Sequence, residues 1–423
     1  MSLIPTLTGL FKEVYADRIE NLIPEAAKIT KAVSFVPTDK QNGGFYNQPV
    51  VLANEQGFTY AGPNAGAFDV NDSIGSTMGN AQVLGSSILL QSMLDYEQAS
   101  RASAGGKKAF ANATVYLVSN MLESLTKRVE IADIYGQSGL GTTSATNGSA
   151  TSDETTVTVT PASWASGIWA GSENTKVQFY NGSSLISSGA DSIFTIVQVS
   201  DDSTKTLRVS GTNTGITALV AATATPLDIF YNGAYGKEMV GLNQILENTG
   251  SLFNIDAADY NLWKSNDITV SGELDYGKIT SAIGTAVNRG GLNEDVTVYV
   301  NPNTFNDLTD QLVGLRRFDG AETKSILGNK ELSYYAQNGV VTITPYNIVK
   351  NGDAFVLPMK RVKRLGAVDI SFKNPAGNSY DNEIFFQHPT KAGFVLRAYT
   401  DQAIFLETPA KAVKISGFTN SVN

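Results

Sequence analysis

Cysteine is absent from this 423-residue sequence, so disulfide frameworks and thiolate metal sites are excluded and stability cannot depend on redox state. Histidine is nearly absent too: His388 is the single copy. Any zinc site or Ser-His-Asp triad would have to be built around that one residue, followed at once by Pro389. Charged residues make up 17% of the chain, below the usual quarter. Gly, Asn, Ser and Thr are plentiful instead, which leaves a largely neutral, hydrogen-bonding surface suited to extensive protein contact. No apolar run approaches the roughly 18 residues of a membrane-spanning helix. Residues 1–12 lack a basic segment ahead of an apolar core, so neither a secretion signal nor a membrane span is expected. The net charge is −9 and the isoelectric point about 4.8, so the chain repels polyanions and any nucleic-acid contact must be local or indirect. Asn112, Asn147 and Asn181 head glycosylation-type triplets. The first falls inside a predicted helix, and all three read as chance matches.

What is present is first of all one long amphipathic helix, predicted over residues 107–135. Phe110, Thr114, Leu117, Val118, Met121, Leu122, Leu125, Val129 and Ala132 recur at steps of three and four, with Asn112, Asn120, Glu123, Lys127, Arg128 and Glu130 mostly between them. At about 1.5 Å per residue this helix spans roughly 40 Å, which marks it as the spine of an elongated subunit whose apolar stripe needs a covering sheet. Gly136 stops it, Ser103 is a candidate N-cap, and Gly105 and Gly106 suggest a hinge at its start.

Around this spine the text changes character several times. Residues 1–45 mix a short amphipathic pattern with Pro5, Pro24 and Pro37 and read as an N-terminal arm. Strand-like runs at 46–60 and 81–94 bracket a Gly/Asn/Asp-rich tip at 61–79, a long hairpin-like loop with too little core to stand alone. Residues 136–153 have a linker's composition. Six short strands then follow, at 156–160, 176–180, 193–199, 206–210, 216–220 and 227–231, with turns at Asn181-Gly182 and Asp201-Asp202-Ser203. They predict a small β-sandwich of immunoglobulin type over 150–233, inserted into a host fold and projecting outward. Within it acidic residues outnumber basic ones seven to three. The host resumes with helices near 239–247 and 276–289, a strand at 296–300 and a helix to residue 313 capped by Thr304. Strands at 339–344, 354–358, 366–372, 383–388, 391–399 and 403–407 make the last third rich in sheet.

Motifs for chemistry are few. Asp69-x-Asn71-x-Ser73 opens like a calcium loop, but Ile74 stands where Gly is needed and Asn80 where Glu is needed. Gly136-x-x-Gly139-x-Gly141 lacks the Gly-Lys-Ser/Thr ending of a phosphate loop. Asp153-Glu154 and Asp201-Asp202 fall in linker and turn text. Two basic clusters remain, Arg316-Arg317 and Lys360-Arg361-x-Lys363-Arg364. The second follows a strand and could face a phosphate backbone, but without interleaved aromatics a solvated face or salt bridges to acidic neighbours is the simpler reading. No catalytic, cofactor-binding or metal-binding residues are assigned.

The order of parts, arm, extended loop, long helix, α/β region and sheet-rich return, resembles the major capsid proteins of tailed bacteriophages, whose Hong Kong 97-type shell fold is shared with encapsulins. Local text is similar as well: Gly241-Leu242-Asn243-Gln244-Ile245-Leu246 followed by Asp259-Tyr260-Asn261-Leu262-Trp263, then the run from Val298 through Asn301-Pro302 to Leu308, Leu315-Arg316-Arg317-Phe318, Asn338-Gly339-Val340-Val341 and Gly352-Asp353-Ala354-Phe355-Val356-Leu357. The likeness spans most of the chain outside 150–233. It implies an α+β fold with an N-terminal arm (1–45), an extended loop on a neighbouring subunit (46–100), a spine helix of the peripheral domain (101–149), the β insertion (150–233), a peripheral return (234–274), an axial domain (275–350) and a sheet-rich return (351–423). It further implies a homo-oligomeric shell of hexamers and pentamers around double-stranded DNA that is gripped only weakly. No charged helical assembly segment precedes the arm, which implies a separate scaffolding protein, with portal and decoration or cement proteins as further partners. The resemblance places the protein in a virion capsid assembled in the cytoplasm of a bacterial host. No Lys–Asn crosslinking pair can be assigned. An encapsulin-like compartment shares the fold, a surface-layer or tail-sheath protein would build sheets or tubes, and a glycosidase would need two carboxylates about 5–10 Å apart in a cleft.

Overall fold

A computed structural model describes residues 27–37, 45–96, 107–144, 153–222, 225–315, 332–372, 385–387 and 389–421. The long helix forms as its periodicity predicts, over Lys107–Tyr135. Ser103, Gly105 and Gly106, the expected cap and hinge, lie outside the described residues. A five-stranded sheet lies along the stripe, built from Phe35–Pro37, Ser86–Asp95, Val362–Ser371, Phe385–Gln387 and Gly393–Leu406. Met121 and Leu125 pack on Leu396 and Ala398, and one turn further Val129 and Ala132 meet Leu365, Ala403 and Phe405. Truncating Leu125, 1% exposed, to Ala would cost about 2–5 kcal/mol. The two strands expected at 391–399 and 403–407 are one strand of 14 residues. Nothing breaks its pairing with Ser86–Asp95, which runs from Gly393↔Asp95 to Gln402↔Ser86.

The stripe does not hold to the end of the helix. From Val129 to Tyr135 every position is buried, Glu130 and Asp133 included. Glu130, expected on the polar face, is enclosed because the short helix Ile29–Ala32 and the loop carrying Tyr346 close over that side.

A second, six-stranded sheet runs in the order Asn266–Thr269, Val413–Ser416, Asp353–Leu357, Val296–Val300, Gly339–Pro345, Leu332–Ala336. Helices Tyr276–Gly290 and Pro302–Leu315 accompany it. Ile279, Ile283, Phe305 and Leu308 share one core with Val298, Ile343 and Val356. Asp275 caps the first helix by accepting from Lys278 N (2.7 Å), and Gly291 ends it in the left-handed region at φ 60°. The second helix is capped by Asn301, not Thr304: Asn301 Oδ1 accepts from Asn303 N at 3.0 Å, and Pro302 takes the first helical position, where no N–H is needed. Strands from residues 266–269, 353–357 and 413–416 complete this sheet, so the block expected at 275–350 draws on chain from both sides.

The insertion is not a two-sheet sandwich. Its strands form one seven-stranded sheet in the order Gly141–Thr142, Asp228–Tyr231, Lys176–Asn181, Phe194–Ser200, Thr206–Ser210, Glu154–Thr158, with Ser184–Leu185 as a side hairpin. The bridge Thr143↔Val159 joins the two ends and closes it into a small barrel. The strand expected at 216–220 is part of a helix, Asn213–Ala222. Thr212 Oγ1 accepts from Gly215 N (3.1 Å) and sets its first turn, and Ile216 and Leu219 plug the barrel core. Nor does the module hang from a tether. Gly167 N donates to Asn347 O (2.9 Å), Asn351 N to Trp164 O (2.9 Å) and Gly352 N to Ala162 O (2.8 Å). Its core also runs on through Ile131, Ile134 and Tyr135 into Leu242, Ile245 and Phe355. Within the expected linker, Gly136–Gly139 turn tightly out of the helix and Gly141–Thr142 is a barrel strand.

Candidate assembly surface

The extended loop begins as a two-stranded antiparallel ribbon, Tyr46–Ala53 against Thr77–Val83. Exposure along the first strand alternates residue by residue, so Tyr46, Val50 and Leu52 share a face, and that face rests on Ala81, Val83 and Ile255. Gln82 N donates to Phe253 O at 2.9 Å, tying the ribbon's foot to the hairpin 251–256. Pairing stops at Ala53 and resumes at Thr77, which makes the unpaired tip, 54–76, longer than the expected 61–79. The second expected run, 81–94, divides at residues 84–85, and its larger part, Ser86–Asp95, belongs to the main sheet.

Hydrogen bonds across the tip give it a defined shape. Gln56 N donates to Ile74 O (3.1 Å), Asn71 N to Thr59 Oγ1 (2.8 Å) and Asn71 Nδ2 to Phe58 O (2.9 Å). Asn71, the middle member of the failed calcium motif, is thus a clamp of the tip. On this frame sit Val51, Phe58, Tyr60, Phe68, Val70, Ile74 and Met78, all exposed, with Tyr60 at 90% and Val70 at 77%. Such a concentration of apolar surface on a limb without its own core marks an interaction site.

The other residues singled out in the sequence do not converge. His388 and Arg316-Arg317 lie outside the described residues. The second basic cluster is consumed by acids. Arg361 meets Glu294 through Nε and Nη2 at 3.0 and 2.6 Å, Lys411 reaches the same carboxylate at 3.3 Å, Lys363 pairs with Glu407, and buried Arg364 binds Asp369 (2.8 Å) and Gln402 (2.6 Å). These bonds from Arg361 and Lys411 hold the Glu294 carboxyl below its usual range. Of the four basic residues, Lys360 is the one left exposed. Glu154 lies 3.7 Å from Arg208, and Asp201 pairs with Lys205 at 2.7 Å. Asp202, its pKa lowered to about 2, accepts from Thr204 Oγ1 and N in a tight turn. Among the described residues no group of three or more His, Asp or Glu could hold a metal ion, and no helix is long and apolar enough to cross a membrane.

Sequence reasoning missed how the arm is fastened. Glu130 accepts from Ile29 N (3.2 Å), Thr30 N (2.6 Å) and the Tyr346 hydroxyl, so its carboxylate satisfies the free N–H groups at the start of helix Ile29–Ala32. Beyond that helix, Phe35–Pro37 pairs in parallel with Arg364–Gly366, and Arg364 Nη1 donates to Thr30 O at 3.3 Å.

No family model matches the chain, and no curated protein matches its sequence. Among solved structures it is similar to the Cyanophage A-1(L) capsid asymmetric unit, at 12% identity and a TM-score of 0.55 over 96% of each chain. It is also similar to the capsid of an empty GTA particle, at 7% identity and a TM-score of 0.51, over 96% of this chain and 95% of that one. At these identities the likeness is one of fold: the mixed α/β architecture is shared nearly end to end with capsid chains.

Proposed function

We propose that this chain is the major capsid protein of a tailed bacteriophage, a structural tile that assembles as hexamers and pentamers into an icosahedral shell around double-stranded DNA. The observation that carries this reading is the ribbon at 46–83, which exposes seven large apolar side chains, five of them on its ordered tip, that nothing among the described residues covers. The fold shared with phage and GTA capsid chains supports it. Burying each of those side chains contributes about 1.5–3 kcal/mol, while association costs about 4–15 kcal/mol in lost freedom. The two ranges overlap, so one docked loop does not by itself guarantee a stable pair. A closed ring in which every subunit gives and receives one loop is stable through the sum.

In this reading residues 46–100 lie on a neighbouring subunit, the helix within 101–149 is the spine, and the α/β sheet around 275–350 approaches the capsomer centre. The acidic, salt-bridged surface holds packaged DNA loosely. A scaffolding protein, a portal and decoration proteins act as partners, assembly takes place in the host cytoplasm, and the chain's role is structural, not enzymatic. Negative-stain microscopy of the protein co-expressed with its neighbouring genes tests the reading. Closed icosahedral particles are expected; tubes, flat sheets or a persistent monomer contradict it.

A further inference from the structure

The tip of the ribbon carries charge as well as apolar surface. Residues 54–76 include Glu55, Asp69 and Asp72 and no Lys, Arg or His. All three carboxylates are exposed, and none enters an ion pair among the described residues. Along the chain they alternate with Phe58, Tyr60, Phe68, Val70 and Ile74, which are between 54% and 90% exposed. A surface that covers this tip needs an apolar floor and uncommitted positive charge together.

A groove on the same chain offers both. It measures about 420 Å3 and runs between strand Ser86–Asp95, the spine helix and the chain leaving the barrel at 231–238. Its apolar lining includes Leu89, 57% exposed, and the half-buried Ile88 and Leu90. Its cations are uncommitted. Arg128 Cζ sits 3.1 Å from the centre of the Tyr231 ring, and its N–H groups make no hydrogen bond or ion pair among the described residues, though a guanidinium has five donors to place. Lys237 is exposed and likewise unpaired among the described residues. Glu238 is the one acid of the lining, and burial raises its pKa, with Arg128 opposing, which weakens it as a competitor for the two cations.

Within one chain the tip and the groove do not meet. Both are exposed, and the paired strand Thr77–Val83, about 20 Å long, separates them along the chain. A tip that fills such a groove therefore fills a neighbour's. Because tip and groove are different patches, each copy gives one and receives one, and a head-to-tail contact of this kind closes into a ring where its rotation permits.

We infer, resting on the reading of this chain as a shell tile, that the groove lined by Leu89, Arg128 and Lys237 seats the ribbon tip of a second copy, with apolar side chains on Leu89 and carboxylates on Arg128 and Lys237. The test is zero-length carbodiimide coupling of the full-length chain, co-expressed with its neighbouring genes, because that reagent joins a carboxylate to an amine only where the two touch. Peptide mass spectrometry is expected to find Lys237 joined to Glu55, Asp69 or Asp72 in covalent oligomers. Lys237→Arg keeps the charge and the assembly but loses the link. Lys237→Glu is expected to weaken association about tenfold or more, and Asp69→Lys with Asp72→Lys in the same chain to restore it. Lys237 is exposed, so its variants keep the parent's thermal unfolding. Tip acids joined to other lysines with none to Lys237, reversal at Lys237 without effect, or a loss that the reversed tip does not repair overturns the inference. The form of the particles reads the shell separately. Tubes or sheets that carry the Lys237 link contradict a closed shell and keep the docking; closed particles without the link keep the shell and overturn the docking; a persistent monomer contradicts both.

Discussion

Gly136 and Gly241 lie backbone against backbone: Gly241 N donates to Gly136 O at 3.0 Å. A Cβ on Gly241 would come within 2.5 Å of Gly136 N and 2.7 Å of Ile134 O. A Cβ on Gly136 would strike Met239 O and lie 2.6 Å from Ala132 O. The first glycine ends the long helix and the second opens helix Leu242–Glu247, so the chain leaves for the barrel and returns from it through one clasp. Backbone atoms cannot swing aside as a flexible side chain does. Gly136→Ala and Gly241→Ala are each expected to destabilise the chain by about 3 kcal/mol or more, read as a lowered midpoint in urea unfolding. An unchanged midpoint would show that the clasp is dispensable.

Glu130 holds the arm to the spine through the amides of Ile29 and Thr30. Hydrogen bonds to a charged group contribute about 1.5–3 kcal/mol each. Glu130→Leu is therefore expected to speed amide exchange across residues 27–37 by about tenfold or more while the core strands keep their protection. Hydrogen-exchange mass spectrometry checks this, and equal exchange in both proteins would place the arm's anchorage elsewhere, in its pairing with Arg364–Gly366.

Asp133, one turn from Glu130, is fully buried, and neither carboxyl oxygen has a hydrogen-bond partner. Burial first, then the nearby Glu130, pushes its pKa well above the usual carboxylate range, with Arg364 opposing and Asp369 adding a little. A carboxyl whose folded pKa lies above its unfolded one keeps its proton longer in the native state. Its contribution to stability is therefore full at low pH and is lost as the pH rises from the ordinary carboxylate range towards the raised value. Asp133→Asn removes that loss. The variant is expected to melt higher than the parent near neutral pH, with the difference shrinking towards about pH 4. A difference that grows on acidification would contradict the assignment.

How far the fold was legible depends on what each residue's neighbours in sequence could reveal. Leu117, Met121, Leu125 and Val129 announce the spine because a period of 3.6 is a local property. The strand-like runs that bracket a Gly/Asn/Asp-rich tip announce the ribbon, because turn composition is local too; the alternating burial of Tyr46–Ala53 is seen only in the structure. Ile216 to Val220, rich in β-formers, reads as a strand, yet the Thr212-x-x-Gly215 cap and the apolar plug at Ile216 and Leu219 make it a helix. The cap was the signal available, and it was outweighed by side-chain type. Gly136 has a linker's composition and a packing role, which only the approach of Gly241 reveals. Glu130 falls at a polar phase of the helix, while its partners come from residues 29–30 and from Tyr346, 216 positions away. No local pattern encodes such a distant meeting. The ribbon was visible as a hairpin-like loop with a Gly/Asn/Asp-rich tip, but the clamp at Asn71 was not.

The central claim is that the ribbon's apolar tip is the surface through which subunits join. Sedimentation velocity with electron microscopy, comparing the unaltered chain with a Phe58→Asp, Tyr60→Asp variant, tests it most directly. Both positions are exposed in the single chain, so the substitutions leave the fold and its thermal unfolding unchanged. The account predicts closed shells from the unaltered chain and a folded, slowly sedimenting subunit from the variant. Shells formed equally well by both would contradict it.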